Sequence, residues 1–239
     1  KIQESGTILI ARDSRSHGRN LIDVCCHTLQ KCGRDIQNFD IIPTPTAQFI
    51  IEKNDLAGGI VITASHNPEE WNGLKFIDSD GCFLNSNKNL ELFNIADNIS
   101  IADNISGPSK KEGNITIMKS GYLSHIEHTK NLSVIDILSI KNRNFTVVVD
   151  AVNGAASLAL PKMMESLGCK VYSLNCKPDG YFPRGTEPIP DHLIKLSEIV
   201  VQKNADVGFA TDPDGDRLAV VDENGCALGE EYTLTICAD

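Results

Sequence analysis

The sequence predicts an α/β fold built from two tandem domains with mostly parallel sheets. Two observations support this prediction. Gly58–Thr63 and Phe145–Asp150 are continuous runs of mostly β-branched residues, which is the pattern of strands buried on both faces of a parallel sheet. Around each run, short apolar stretches alternate with stretches whose apolar residues recur at helical spacing, and this alternation indicates helices layered on a sheet.

The first half of the chain alternates strands and helices from its start. Apolar residues recur at helical spacing between Leu21 and Leu29, and Gly33 follows as a C-terminal cap. Two prolines, Pro43 and Pro45, end the next strand. The predicted elements are a strand at Thr7–Ala11, a helix at Gly18–Cys32, a strand at Ile36–Ile42, a helix at Thr46–Lys53 and a strand at Gly58–Thr63.

The middle of the chain contains a short tandem repeat. Ile95–Ser100 and Ile101–Ser106 both read I-A-D-N-I-S. A repeat architecture needs a longer period and at least three units, so we interpret the repeat as a local duplication in a surface helix or loop. Residues 107–114 read as a loop, a helix is predicted at Ser120–Thr129, and the domain boundary is placed near residue 120.

The second half repeats the alternation of strands and helices. Asn153-Gly154 leads from a buried strand into a helix, and Gly168 stands where it would cap that helix. A loop rich in proline and glycine covers Lys177–Pro190. The predicted elements are strands at Phe145–Asp150, Lys170–Leu174, Asp206–Thr211 and Leu218–Asp222, and helices at Ala155–Leu167, His192–Lys203 and Glu230–Ala238.

Composition narrows the class of protein. Of 239 residues, 41% are apolar and 23% are charged, which is ordinary for globular domains. The formal net charge of −10 argues against non-specific nucleic-acid binding, and no apolar run is long enough to span a membrane. The eight cysteines include no C-x-x-C pair, so we expect reduced thiols in a cytoplasmic protein. A zinc site and a disulfide framework are the alternatives.

The segment Thr63–Pro68, which reads T-A-S-H-N-P, lies at the carboxyl end of a buried strand, where α/β sheets place their ligands. Ser65 stands at the strand exit ahead of a short turn, and exposed backbone N–H groups at such a turn favour a phosphate. Lys75 follows ten residues later and could balance transferred charge. The alternatives are a polar turn, a surface lysine, and a serine hydrolase, whose G-x-S-x-G elbow is missing here.

Asp212, Asp214 and Asp216 alternate on a turn that follows a predicted strand. Three carboxylates this close repel one another unless they bind a cation or splay into water, and hard oxygen ligands suit Mg²⁺. An EF-hand is one alternative, with Glu223 at its twelfth position, but Arg217 stands where that loop needs glycine. An aspartate-nucleophile phosphatase is the other, although here a third Asp and an Arg follow its D-x-D pattern.

Basic residues near these loops are candidates for phosphate binding. Arg184 lies in Gly180–Pro188, a rigid loop that is either a structural turn or a substrate contact. Arg12 and Arg15 follow the first strand, where they either aid phosphate binding or form surface ion pairs with Asp13. An anionic substrate would need such local positive charge, because the chain as a whole is acidic.

These motifs, in this order and each at the end of a strand, resemble the α-D-phosphohexomutase superfamily of phosphoglucomutases, phosphomannomutases and phosphoglucosamine mutases. Thr63–Pro68 resembles the catalytic serine loop, and Asp212–Arg217 resembles the D-x-D-x-D-R metal loop. The resemblance implies two domains with mixed, mostly parallel sheets, at 1–120 and 121–239. It implies catalytic roles for Ser65, Lys75 and His66, one Mg²⁺ on Ser65, Asp212, Asp214 and Asp216, and phosphate binding by Arg217, Arg12, Arg15 and Arg184.

The resemblance also implies a reaction. Phosphorylated Ser65 would donate its phosphoryl group to a hexose monophosphate, the hexose 1,6-bisphosphate would turn around, and Ser65 would take back the other phosphoryl group. The implied partner is a small sugar phosphate, with no nucleic acid and no membrane. Three segments are most similar to phosphoglucosamine mutases: Glu70–Lys75, Asp150–Ala155 and Phe182–Arg184.

The resemblance covers the first two of the family's four domains. The family's N-terminal segment, its sugar-reading loop and its fourth-domain phosphate loop have no counterpart in this sequence, so we expect an incomplete enzyme that is inactive alone. No signal peptide is visible at the start. The alternatives are a phosphomannomutase or phosphoglucomutase, a non-catalytic fragment that binds Mg²⁺ and phosphate, and a hydrolase of phosphoryl esters acting through Ser65 or Asp212.

Overall fold

Two separate β-sheets organise the computed structural model, which describes residues 5–98, 111–229 and 231–238. The first sheet contains five strands and the second contains four. In each sheet one strand pair is antiparallel and the remaining pairs are parallel. The predicted fold class, two α/β units with mixed and mostly parallel sheets, is therefore confirmed.

The first sheet has the strand order β4-β3-β1-β2-β5. Its strands are β1 Ile8–Arg12, β2 Ile36–Ile41, β3 Gly58–Ile62, β4 Leu74–Ile77 and β5 Ile115–Ile117. β4 forms one edge of the sheet and pairs antiparallel with β3. The chain therefore leaves β3, makes the loop that contains Ser65, and returns along the same strand with Lys75.

Helices cover both faces of the first sheet. α1 (Gly18–Lys31) packs Ile22 into the core on one face, and α2 (Thr44–Lys53) packs Ile50 into the core on the other. Full burial of one such side chain contributes about 1.5–3 kcal/mol, so these contacts stabilise the platform from which the loops extend. α3 (Ser86–Asn98) buries none of its residues completely.

The second sheet has the strand order β7-β6-β8-β9. Its strands are β6 Thr146–Asp150, β7 Lys170–Leu174, β8 Val207–Thr211 and β9 Leu218–Val221. The helices of this half are α4 Tyr122–Lys130, α5 Ile137–Arg143, α6 Ala159–Ser166, α7 Ile194–Lys203 and α8 Glu231–Ala238. α7 buries Leu196 and Val200 in a core with Val148 and Ala210.

The helix predicted at Ala155–Leu167 is wrong as one continuous element. The chain makes a 3₁₀ turn at Ala155–Ser157 and then begins α6 at Ala159. Pro161 explains the break, because it has no N–H to donate to the carbonyl group of Ser157 and its ring would clash with that group in a continuous helix. A proline is tolerated in the first turn of α6, where it stands.

The other predicted strands and helices are confirmed, with ends displaced by one or two residues. Three short elements, β4, β5 and α5, and the 13-residue helix α3 lie where none is predicted. β4 and β5 contain only four and three residues, too few for an alternating pattern to stand out. Within the tandem repeat, Ile95–Asn98 ends α3. The rest of the repeat, residues 107–110 of the predicted loop, and residue 230 lie outside the described residues.

Two features of the described residues bear on the environment of the chain. All eight cysteines fall within these residues, and none is paired in a disulfide there. Cys26 is buried in the first core, and this burial raises the pKa of its thiol to about 11, so the thiol is protonated at neutral pH. In the part of the chain that the structure describes, no helix has the length and apolar character needed to cross a bilayer.

Candidate active site

The loop after β3 presents Ser65 in an unusual backbone conformation. Ser65 has φ of 51°, in the left-handed region that non-glycine residues seldom occupy and that is enriched at functional sites. Its N–H donates to Thr63 Oγ1 at 2.9 Å. The turn directs the Ser65 hydroxyl towards the second half of the chain, where it donates to Asp212 Oδ2 at 3.0 Å.

Arg15 stabilises this loop from the interior of the protein. Its side chain is completely buried and donates to the carbonyl oxygens of Ser65 at 2.7 Å, Asn67 at 2.9 Å and Pro68 at 2.5 Å. Its Nε also donates to Asp13 Oδ2 at 2.9 Å. The surface ion pair considered from the sequence is therefore a buried one. Phosphate binding by Arg15 stays a prediction, and it would require these bonds to break.

Asp13 and Arg12 form further contacts beneath the serine loop. Burial raises the pKa of the Asp13 carboxyl, although the hydrogen bond from Thr63 and the charge of Arg15 oppose the rise. Arg12 donates to Asp40 Oδ1 at 2.6 Å and to the carbonyl oxygens of Asp13 and Arg15. In this conformation Arg12 also braces the backbone below the serine loop, and its predicted contact with phosphate stays untested.

The loop after β8 gathers the three aspartates. Carboxylate oxygens of Asp212, Asp214 and Asp216 lie within 4.8 Å of one another. Asp212 Oδ1 accepts the backbone N–H groups of Asp216 and Arg217, both at 3.1 Å. The loop therefore folds around its own first carboxylate. The next element is the strand β9, paired with β8, so the helix that an EF-hand requires at this point is absent from the described residues.

The pKa values of the two buried aspartates, Asp212 and Asp214, are shifted in opposite directions. Burial raises the pKa of Asp212, and the charges of Asp214 and Asp216 add to that effect. Burial also opposes ionisation of Asp214, but the charge of Lys75 and the hydrogen bonds that Lys75 and Thr44 donate lower its pKa overall. Negative charge is thus concentrated on Asp214, in a site where neighbouring carboxylates repel one another.

The two loops meet, although their residues are far apart in the sequence. Besides the bond from Ser65 to Asp212, Lys75 Nζ donates to Asp214 Oδ2 at 2.7 Å and to Asp216 Oδ2 at 2.8 Å. Burial lowers the pKa of Lys75, but these two carboxylates outweigh it and leave the pKa raised. The predicted residues Ser65, Lys75 and the three aspartates therefore form one cluster, with a protonated lysine inside it.

The remaining predicted residues surround this cluster. His66 accepts a hydrogen bond from Thr186 Oγ1 at its carbonyl oxygen, and its Nδ1 is buried with no partner among the residues that the structure describes. Arg217 Nη1 donates to Glu187 Oε1 at 2.8 Å. Thr186 and Glu187 belong to the loop at Gly180–Pro188, so this loop contacts the serine loop at His66 and the metal loop at Arg217.

Arg184, by contrast, points into the scaffold. Its Nη2 donates to the carbonyl oxygen of Thr211 at 2.6 Å, and its Nε lies 3.0 Å from Asp150 Oδ2 as an ion pair without hydrogen-bond alignment. Burial lowers the pKa of Arg184. The structure thus gives Arg184 contacts that support the end of β8, and phosphate binding by this residue stays a prediction that these contacts do not favour.

Several residues that support the site are given no individual role by the sequence. Thr44, at the start of α2, donates to Asp214 Oδ2 at 2.5 Å and is completely buried. Thr63 donates to Asp13 Oδ2 at 2.7 Å, and Glu187 pairs with Arg217. Each is a common polar residue next to a loop or a proline. Thr44 reaches its partner through the packing of the two halves, whereas Thr63 and Glu187 reach theirs within one half.

Comparison with known proteins identifies the family. A family model described as phosphoglucomutase/phosphomannomutase, alpha/beta/alpha domain I, matches residues 1–102, and the model of alpha/beta/alpha domain II matches residues 120–225. The chain belongs to the phosphohexomutase superfamily. The predicted family and the predicted match to its first two domains are confirmed.

Relatives of known name agree with this assignment. A phosphoglucomutase/phosphomannomutase of Thermococcus kodakarensis is 39% identical over 99% of this chain and 51% of its own length. A phosphoglucosamine/phosphogalactosamine mutase of Sulfurisphaera tokodaii is 32% identical over 93% of this chain and 48% of its own. A crystal structure of a phosphoglucomutase/phosphomannomutase family protein from Burkholderia thailandensis covers 98% of this chain and 50% of that one, with 25% identity and a TM-score of 0.78. The chain thus spans about half the length of these phosphohexomutases.

Proposed function

We propose that this chain supplies the phosphoserine and metal half of a phosphohexomutase, an isomerase that moves a phosphoryl group between the 6- and 1-positions of a hexose. The observation that carries the proposal is the convergence of Ser65 and Lys75 on the three aspartates. Membership of the family supports it. The reaction of the whole protein is part of the proposal, because the chain spans about half the length of its relatives.

Ser65, Asp212, Asp214 and Asp216 are proposed to hold one Mg²⁺. Two features of the cluster fit this ion. The carboxylate oxygens lie within 4.8 Å of one another, and Asp214 Oδ1 is buried without a hydrogen-bond partner among the described residues. Hard oxygen donors in such an arrangement suit Mg²⁺. When bound, Mg²⁺ would stabilise the negative charge that collects on the phosphoryl oxygens.

The proposed transfer starts from phosphorylated Ser65 and a hexose monophosphate. The bond between phosphorus and Ser65 Oγ breaks as phosphorus bonds to the free sugar hydroxyl, whose proton is lost while Ser65 Oγ gains one. The hexose 1,6-bisphosphate then turns around and returns its other phosphoryl group to Ser65. Lys75 is protonated, so we assign it the stabilisation of charge, and we assign proton transfer to His66.

The sugar is proposed to be a hexosamine phosphate, as in phosphoglucosamine mutases. The name of the relative from Sulfurisphaera tokodaii supports this substrate. The name of the relative from Thermococcus kodakarensis supports the alternative, a glucose phosphate or a mannose phosphate. Both relatives are about twice as long as this chain. We therefore propose that sugar recognition lies in the half of the protein that this chain does not span.

The division into domains at 1–120 and 121–239 is likewise a proposal. It is supported by the end of the first sheet at Ile117 and the start of α4 at Tyr122. The matches of the family's domain I and domain II models to residues 1–102 and 120–225 also support it. A cytoplasmic location, expected from the acidic composition and the cysteine pattern, also stays a proposal.

The proposal predicts that Ser65 accepts a phosphoryl group. Incubation of the chain with glucose 1,6-bisphosphate and Mg²⁺ should add the mass of one phosphoryl group and release one equivalent of glucose monophosphate, because Ser65 Oγ lies beside the aspartates. Intact-mass spectrometry and peptide mapping measure the label. Ser65→Ala should remain unlabelled, and Ser79→Ala, which changes a serine in another loop, should be labelled like the wild type.

Three outcomes of this experiment are informative. A label on another residue, or one that persists in Ser65→Ala, contradicts the proposal. Inorganic phosphate released over many turnovers would favour the hydrolase alternative instead. Isomerisation of a hexose 6-phosphate by the chain alone would contradict the proposal that the remaining half is needed, while leaving the role of Ser65 intact.

A further inference from the structure

Thr44 joins the two halves of the chain at the metal loop. It lies at the start of α2 in the first half, and its side chain is completely buried. Its Oγ1 donates to Asp214 Oδ2 at 2.5 Å, and its backbone N–H donates to the carbonyl oxygen of Asp214 at 2.9 Å. Thr44 therefore binds both the backbone and the carboxylate of one aspartate across 170 residues of sequence.

The two oxygens of the Asp214 carboxylate are in different situations. Oδ2 accepts from Thr44 and also from Lys75 Nζ, at 2.7 Å. Oδ1 is buried and accepts no hydrogen bond from any residue that the structure describes. Because a buried carboxylate oxygen without a donor is costly, the arrangement points to Oδ1 as the oxygen reserved for a cation.

Thr44 is better suited than Lys75 to fix this orientation. Threonine is branched at Cβ and strongly restricted in χ1, and Pro43 and Pro45 restrict the backbone on both sides. Lys75 has a long flexible chain, is partly exposed and divides its charge between Asp214 and Asp216. Pro43 also lies against the turn of the metal loop, since a Cβ at Gly215 would come within 3.3 Å of it.

We propose that Thr44 is a positioning residue for the cation site: it occupies Oδ2 of Asp214 and so presents Oδ1 as the ligand. This inference rests on the proposed function, which places Mg²⁺ on the aspartates. Thr44 acts through Asp214, since its completely buried side chain donates to that carboxylate. It also couples the metal loop of the second half to a helix of the first.

The test compares two substitutions that separate the hydroxyl group from the shape of the side chain. Thr44→Val keeps the branched shape and loses the donor, whereas Thr44→Ser keeps the donor. Mg²⁺ binding to the whole chain is measured by isothermal titration calorimetry. We expect Thr44→Val to weaken the affinity about tenfold, as is usual when a residue that orients a metal ligand is lost, and Thr44→Ser to bind like the wild type.

Two further variants make the result interpretable. Thr46→Val removes a buried threonine hydroxyl from the same helix, one that bonds to His125, and should leave Mg²⁺ affinity unchanged. Asp214→Asn should abolish binding if the proposed function is correct. Melting temperatures measured without Mg²⁺ report stability separately. If Thr44→Val does not fold, Thr44→Cys, whose thiol is a weak donor, replaces it with the same expected direction.

The outcomes separate this inference from the proposed function. Wild-type affinity in Thr44→Val, or equal weakening in Thr44→Val and Thr44→Ser, overturns the role of Thr44. If Asp214→Asn still loses binding in that case, the cation site itself stands. If the wild-type chain and Asp214→Asn behave alike towards Mg²⁺, the cation site is wrong and the inference about Thr44 is overturned with it.

Discussion

The hairpin β3–β4, which carries Ser65, and the hairpin β8–β9, which carries the aspartates, share one plan. In each, an edge strand pairs antiparallel with a strand of the parallel part of its sheet. After each hairpin the chain makes a similar turn, in which the N–H of Asp78 donates to the carbonyl of Cys82 and that of Asp222 to Cys226. The two halves of the chain therefore present their functional loops from equivalent positions.

The two loops differ in how they are held. Residues 212–217 form a short loop between β8 and β9, and Asp212 within it accepts two of the loop's own N–H groups. Residues 63–73 form a longer loop between β3 and β4. Three of its carbonyl oxygens bond to Arg15, which follows another strand. The metal loop combines its own hydrogen bonds with donors from several elements, since the N–H groups of Thr44 and Ala155 donate to the carbonyl oxygens of Asp214 and Pro213. The serine loop, by contrast, takes three of its hydrogen bonds from the single side chain of Arg15.

The largest expected effect comes from removing that distant support. Arg15→Met leaves Asp13 buried without its counter-ion and three carbonyl groups without their donor. We expect the free energy of unfolding to fall by about 3–5 kcal/mol, as when one partner of a buried ion pair is removed. Urea denaturation followed by circular dichroism measures the loss, and labelling of Ser65 should fall with it.

Arg19→Met provides the matched control for Arg15→Met, since Arg19 is an exposed arginine nearby, and it should change stability little. Arg15→Lys should recover only part of the loss, because an ammonium group cannot reproduce the fork of donors on a guanidinium. A fall of less than about 1 kcal/mol in Arg15→Met, the size seen for exposed pairs, would contradict the dependence of the serine loop on Arg15.

A smaller effect is expected at the two equivalent turns. Gly81 and Gly225 have φ of 77° and 81°, and a Cβ at each would meet a neighbouring helix at 2.9 Å. Gly81→Ala and Gly225→Ala should each lower the free energy of unfolding by about 1–2 kcal/mol, from the left-handed backbone alone. Gly18→Ala is the control, because a Cβ there meets only ordinary contacts.

Parallel values for Gly81→Ala and Gly225→Ala would support the equivalence of the hairpins in energy as well as in geometry. A large loss at one turn and none at the other would contradict it. The measurement is urea denaturation of each variant beside Gly18→Ala, with m-values compared to verify that the same surface unfolds.

The sequence allowed prediction of those parts of the site that local pattern determines. The aspartates follow a buried strand at regular spacing, and Ser65 lies at a strand exit, so both loops could be assigned from short segments. Thr44 could not, because its partner Asp214 is 170 residues away in the sequence and nothing nearby marks it. For Asp13 an ion pair with the neighbouring arginines was one of the two alternatives, but its burial beneath the serine loop was not predicted. The break before α6, by contrast, was marked in the sequence, because Pro161 lies in the interior of the helix predicted at Ala155–Leu167, where a proline interrupts the helix.

The roles of Arg12 and Arg15 also could not be decided from the sequence. The sequence placed Arg12 and Arg15 near the serine loop and left two roles open, phosphate binding and ion pairing. The choice depends on which way each guanidinium points, and that is decided by the carbonyl groups that the folded loop brings within reach. At the end of a strand and in the loop that follows it, residue type and spacing do not determine which backbone groups a long side chain will reach.

The smallest expected effect concerns the helix that joins the two halves. α4 packs against α2 and α6. His125 of α4 stacks on Phe49 with ring centroids 4.7 Å apart and shares a hydrogen bond with Thr46 Oγ1. Burial lowers the pKa of His125, and the charge of His128 lowers it further. The folded state therefore favours neutral His125, while the unfolded chain protonates it at its ordinary pKa.

The sign of the pH dependence follows from this difference. Above the unfolded pKa of about 6.5 the contribution of His125 to stability is fully present, and it is lost as the pH falls towards the lower folded value. We expect the wild type to lose stability between about pH 7.5 and 5.5, and His125→Gln to lose less. Urea denaturation at several pH values measures both, and His27→Gln, at an exposed histidine, is the control. An identical pH dependence in His125→Gln and the wild type would contradict a contribution of His125 to the packing of the two halves of the chain. That packing would then depend on other contacts, such as the hydrogen bond from Thr44 to Asp214.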